Sequence, residues 1–263
     1  MDKIEVKLLN PDSFDTAMTV MVAGARLTQR GEQIKDMHDF MELYKRPVKQ
    51  ETLDRMVSLP HANIQRFGMP IVAVVGASRR FLAQITRHQD DVHFISASLQ
   101  YSDYSDKAAF CVPYTIMQYD KLRVNRAALE EGYYTKQYIK SQQQAMAEYE
   151  AAIKAGVDHD AAAYMMPQGL RNVLIIGATP FQWKHMISQR VCNRNTLETQ
   201  YVMLLIWEEL CRYNCTMMWN SGPDCTQPCG CREGTMSCGE SFKDMGGLSP
   251  MHYLKKQFPL LVE

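Results

Sequence analysis

The chain lacks a charge excess of either sign: its 263 residues carry 29 Lys and Arg against 29 Asp and Glu. Proteins that hold nucleic acid through its phosphates usually carry surplus Lys and Arg, so this balance argues against a nucleic-acid partner. Long apolar runs are also missing. The stretches 69–77 and 173–178 fall far short of the ~20 residues a membrane-spanning helix requires, which argues against a membrane partner. The opening residues, Met-Asp-Lys-Ile-Glu-Val-Lys, alternate in charge and lack the basic-then-apolar layout of a secretion signal, so a cytoplasmic location is expected. There is no internal repeat, no Gly-x-Gly-x-x-Gly, no phosphate loop ending in Gly-Lys-Ser/Thr and no His-Glu-x-x-His. A bound phosphate must then be held by Arg, Ser and helix N-termini.

What is present is an ordinary globular composition, 46% apolar and 22% charged, in a length that suits one domain over 1–263. Six of eight cysteines, Cys211, Cys215, Cys225, Cys229, Cys231 and Cys238, crowd into the last quarter. Gly, Pro and Cys become frequent after Asn220, which predicts an irregular Cys-rich tail over about 219–263. In a cytoplasmic chain such cysteines suggest metal binding or thiols before disulfides. Their spacing does not form paired Cys-x-x-Cys, so no metal ligand is assigned, and a zinc-stabilised interaction module stands as an alternative of a different class.

Periodicity predicts strands at 4–9, 69–76, 93–102 and 170–176. Helices are expected at 14–27, 33–45, 50–58, 78–88, 122–155, 180–191 and 196–217, the last with Asn195 and Glu198 as a capping pair. A final short element is expected near 251–254. Within 78–88, Arg80, Gln84, Arg87 and His88 fall on one helical face. Within 93–102, Ser96, Ser98, Gln100 and Ser102 alternate with Ile95, Ala97, Leu99 and Tyr101, giving either a hydrogen-bonding wall or a solvated strand face.

Three motif groups stand in order. The first is Leu59-Pro-His61-Ala-Asn63 with Gln84-Ile-Thr-Arg87-His88-Gln89 and Ser96-Ala-Ser98-Leu-Gln100-Tyr101-Ser102. The second is Met166-Pro167 followed by Arg190-Val-Cys192-Asn-Arg194-Asn-Thr-Leu-Glu198. The third is the tail, Ser221-Gly222-Pro223-Asp-Cys225 through Cys231-Arg-Glu233-Gly234-Thr-Met-Ser237-Cys238-Gly239. Together they resemble the flavin-dependent thymidylate synthases, with their Arg-His-Arg triplet, downstream Ser and Tyr-Ser, and Arg-x-Cys-x-Arg helix junction. The fold the resemblance implies is α/β, a twisted sheet packed with several long helices.

The activity it implies is reductive C5-methylation of deoxyuridine monophosphate by a homotetrameric FAD enzyme. Methylenetetrahydrofolate supplies the carbon, and NADPH reduces the flavin. By position, Gln84, Arg87, Ser96, Ser98, Gln100 and Arg190 would bind the nucleotide, Arg190 also acting catalytically by polarising the pyrimidine. His61, Asn63, Arg87, His88, Gln89 and His185 would face the flavin. Ser98 has no adjacent base to make it a nucleophile, so it is expected to donate or accept hydrogen bonds. Three cations of the family pattern are missing, replaced here by Gln89, Gln100 and Phe181. Arg171, Lys184 and Arg194 are the candidates to compensate on the anionic ligand. These departures keep uridine monophosphate, or another modified pyrimidine nucleotide, open as substrate.

Overall fold

The β-branched runs form the sheet. In the computed structural model, which describes residues 3–59, 62–123, 131–218, 221–227, 229–239 and 249–262, four strands among the described residues build one antiparallel sheet of order β1-β2-β4-β3. They are β1 (Glu5–Leu8), β2 (Ile71–Ser78), β3 (Val92–Ser96) and β4 (Arg171–Ala178). Register places Leu8 opposite Val72, Val74 opposite Leu174, and Phe94 opposite Ile176. Strand alternation then sends Val72, Val74, Leu174 and Ile176 into the core. The same alternation turns Val75, Val173 and Ile95 to the other face, where they are 39%, 48% and 69% exposed.

Ten helices accompany the sheet among the described residues: α1 (Asp12–Arg30), α2 (Met37–Lys45), α3 (Gln50–Ser58), α4 (Arg79–Ile85), α5 (Tyr114–Arg123), α6 (Tyr133–Lys154), α7 (His159–Ala162), α8 (Pro180–Arg190), α9 (Leu197–Asn214) and α10 (Pro250–Gln257). Helix α9 is the centre of the core. It is apolar nearly all round and packs against β1, β2, α4, α5, α8 and α10. Helix α8 is fixed through Trp183, fully buried, whose indole Nε1 donates to the Pro70 carbonyl at 3.1 Å. Truncating such a side chain costs about 3–5 kcal/mol.

Four sequence expectations change. The helix of 78–88 stops at Ile85, so Arg87 and His88 lie on the turn beyond it. Of the stretch 122–155, the first two residues close α5, 124–130 lie outside the described residues, and α6 begins only after Gly132 at φ 72, a left-handed conformation that glycine adopts without strain. The Asn195/Glu198 cap does not form: the residue preceding α9 is Thr196, and Glu198 serves another partner. The strand of 93–102 ends at Ser96. Beyond the Ala97 N–H, which donates to Val173, the edge of β4 is occupied by 109–111: the Arg171 N–H donates to the Ala109 carbonyl and the Cys111 N–H to that of Gly169, both at 2.8 Å. No helix among the described residues is long and apolar enough to cross a membrane.

Candidate functional site

Two helix junctions create the site. At the first, Ser78 ends β2 and caps α4, its Oγ accepting from the Phe81 N–H at 3.1 Å. The short helix delivers Gln84, half-buried, then exposed Arg87 and buried His88. At the second, Thr179 caps α8, which carries Phe181, His185 and Gln189 at four-residue spacing and ends on Arg190. The Thr179 N–H donates to the Asp91 carbonyl at 3.2 Å, which ties the start of α8 to the loop after α4.

Arg190 and His88 meet although 102 positions separate them: Arg190 Nε donates to His88 Nε2 at 2.8 Å. Burial first, then the nearby Arg190 and His185, push the imidazole down to about 4. His88 is therefore neutral near pH 7, as an acceptor for a guanidinium must be. The His185 ring stands edge-on to it with centroids 5.9 Å apart. Burial and the neighbouring Arg87 lower Arg190, which puts two guanidinium groups in one another's field. Arg190 is steadied further by Asn195, whose Oδ1 accepts from Nη1 at 3.4 Å and whose Nδ2 donates to the Gln189 carbonyl at 2.5 Å.

Arg87, His88, Arg190 and His185 are thus brought together. Gln89 is exposed on the same turn, and Asn63 is exposed on the single turn Ala62–Gln65. His61 lies outside the described residues. Ser96 is exposed at the end of β3, while Ser98 and Gln100 are not strand residues. Ser98 Oγ accepts from the Gln100 N–H at 3.1 Å, a local turn that sequence alternation does not reveal. Arg79, half-buried, donates to the Ala97 carbonyl at 3.5 Å and so supports that loop.

The cations expected to compensate point elsewhere. Arg171 donates to the carbonyls of Gly76 and Lys3 at 3.3 and 3.0 Å. Gly76, at φ 92 beside the break in β2–β4 register, leaves that space open; a Cβ there would stand 2.1 Å from the guanidinium. Lys184 is half-buried, donates to Gln65 Oε1 at 2.9 Å, and is pushed down to about 8 by desolvation. Arg194 donates to the Met236 carbonyl in the tail. The guanidinium that does stand at Phe181 is Arg66, 4.7 Å over the ring and paired with Asp91 at 2.6 Å.

Glu198 was also hidden from sequence reasoning. Its carboxylate accepts from the Ser78 N–H at 2.7 Å and the Ser78 hydroxyl at 2.6 Å, joining α9 to the capping residue of α4. Behind Arg190 a chamber of about 430 Å³ separates 188–195 from the tail, with Cys192, Cys225, Cys231 and Cys238 in its wall. Among the described residues no cysteine is in a disulfide. Away from that chamber, among the described residues, Asp36, His38 and Asp39 reach ligating separation, and their carboxylates already accept backbone N–H groups at the start of α2.

The fold has solved counterparts. The chain is similar to the crystal structure of a UMP/dUMP methylase, PolB from Streptomyces cacaoi, bound with 5-Br dUMP, with TM-score 0.63 and 15% identity over 82% of this chain and 94% of that one. Residues 11–213 match the sequence profile of the thymidylate synthase complementing proteins, and the chain belongs to that family. Two relatives named flavin-dependent thymidylate synthase, from Thermococcus onnurineus and Geobacter sulfurreducens, are each 24% identical over 191 residues. The alignments cover 70% of this chain and 73% of the first, and 72% of this chain and 76% of the second.

Proposed function

We propose that this chain is a flavin-dependent pyrimidine nucleotide C5-methylase that converts deoxyuridine monophosphate to thymidine monophosphate, with methylenetetrahydrofolate as carbon donor. The observation that carries the reading is the Arg190–His88 hydrogen bond, which unites the two separated motif groups beside Arg87. The family membership and the names of the two relatives support it. FAD, reduced by NADPH, supplies the hydride that completes the methyl group when bound. The donor set fits a flavin: a neutral imidazole, a second imidazole on its edge and nearby guanidinium groups offer both stacking edges and anion contacts. Asn63, His88, Gln89 and His185 would hold it, with His61 from the adjoining segment.

The chain's own task is to make a weak carbon nucleophile. Arg190 would lie against the pyrimidine's N3 side and favour the negative charge that must spread over the ring before C5 attacks the methylene carbon. His88, by accepting from Nε, fixes the plane of the guanidinium without neutralising it. Arg87, Gln84, Ser96, Ser98 and Gln100 would hold the sugar phosphate. The exposed apolar face with Val75, Val173 and Ile95 supports an assembly of several copies, a homotetramer in this reading. Uridine monophosphate is the second substrate reading, favoured by the likeness to a methylase whose name includes both nucleotides.

Release of the C5 hydrogen from labelled deoxyuridine and uridine monophosphates tests both readings. We expect release from the deoxyribonucleotide in the presence of FAD and the folate. Arg190→Ala should lower it by roughly a hundredfold or more, the scale of losing one preorganised donor. Release from neither nucleotide would overturn the assignment.

A further inference from the structure

We propose that Arg66 is the residue that binds a phosphate group of the flavin dinucleotide, replacing the arginine displaced by Phe181. The inference rests on the flavin reading above. Three observations place the cation. The guanidinium lies 4.7 Å over the Phe181 ring in a cation–π contact, and Asp91 fixes one corner through Nη1 at 2.6 Å. Nε and Nη2, the other edge of the fork, have no protein partner among the described residues, and the side chain is 40% exposed. A fork held on one edge and open on the other is the geometry that takes two phosphate oxygens.

Its place over Phe181, in the first turn of α8, points to the flavin's phosphates. Phe181, His185 and Gln189 lie along one face of the helix, with His185 against His88 and within hydrogen-bonding distance of Gln189 at 3.1 Å. The rise of 1.5 Å per residue puts Phe181 about 13 Å from Arg190 along the axis. A ligand whose ring system sits at His88 and His185, one turn from Phe181, and whose phosphates trail away from that ring, is the right length. The other cations considered for the task, Arg171, Lys184 and Arg194, are engaged with protein acceptors of their own.

The test separates phosphate recognition from ring recognition. The apoprotein and its Arg66→Ala variant are titrated with FAD and with riboflavin, following flavin fluorescence, and with deoxyuridine monophosphate by calorimetry. Arg66→Ala should weaken FAD by roughly tenfold or more, the scale of a charged hydrogen bond, and leave riboflavin and the mononucleotide unchanged. Phe181→Arg in the Arg66→Ala background should restore FAD binding, a rescue that repair of packing alone would not give. Equal FAD affinity in wild type and variant overturns the inference while leaving the flavin reading intact. An equal loss of FAD and riboflavin, or a loss confined to the mononucleotide, also overturns it. A wild-type protein that takes up no flavin overturns the inference and the flavin reading together.

Discussion

His88 lies with its ring buried between a permanent cation and another imidazole, and its basicity is depressed to about 4 against an ordinary value near 6.5. The unfolded chain then binds a proton between those two values that the folded protein refuses. Stability therefore rises with pH through the window from 4 to 6.5 and is unaffected by this group above it. Acidifying from pH 7 to 4 should remove on the order of 2–3 kcal/mol through this ring alone. Denaturant melts at several pH values check it: His88→Gln, which keeps an acceptor for Arg190 but has no proton to gain, should flatten that part of the profile. An unchanged slope would show that other groups govern acid stability.

At the scale of elements, Glu198 connects two helices whose sequence positions give no hint of contact. Ser78 is simultaneously the cap of α4 and the donor to Glu198, so the α4–turn unit that presents Arg87 and His88 is fastened to α9 through one carboxylate. Glu198→Gln turns an amide N–H toward a donor and leaves one group unpaired, a loss of about 1–3 kcal/mol. Chemical denaturation should read that loss. Glu198→Asp should restore little of it, because the shorter stem withdraws both oxygens.

The same elements show what periodicity can and cannot reveal. Strands β2 and β4 were legible as short β-branched runs, helices α8 and α9 as longer apolar-containing stretches between breaking residues, and Arg87, His88 and Arg190 stood out by motif. Residues 97–102 alternate as cleanly as a strand yet leave the sheet, since alternation records extended backbone and not whether an edge is available. That edge is taken by 109–111. Glu198 reads as a local cap because the local rule is satisfied on paper, while its true partner is 120 positions away. Arg66 was hidden because Phe181 registers in sequence as a missing charge, and only folding shows a guanidinium laid on its ring.

At the scale of the whole molecule, the neutral charge balance no longer argues against anionic ligands, because Arg66, Arg87 and Arg190 concentrate cations along α8 and the α4 turn. The uncovered sheet face has a second consequence. Monomeric proteins rarely expose a contiguous apolar strand surface, and Val75, Val173 and Ile95 sit on one. If the proposed assembly uses this face, Ile95→Asp and Val173→Lys, both placed on it, should shift the mass toward smaller species in sedimentation velocity. A mass unchanged by both variants would remove this face from the interface.

The bond between Arg190 and His88 also fixes where protons can travel. Since a guanidinium has only hydrogens to offer, the imidazole nitrogen it meets must present its lone pair, and the ring's single hydrogen is confined to Nδ1. Protonating that lone pair would break the contact that orients Arg190. In the proposed methylation the C5 hydrogen would accordingly depart by a route other than Nε2, whose lone pair is committed to holding the Arg190 guanidinium in place.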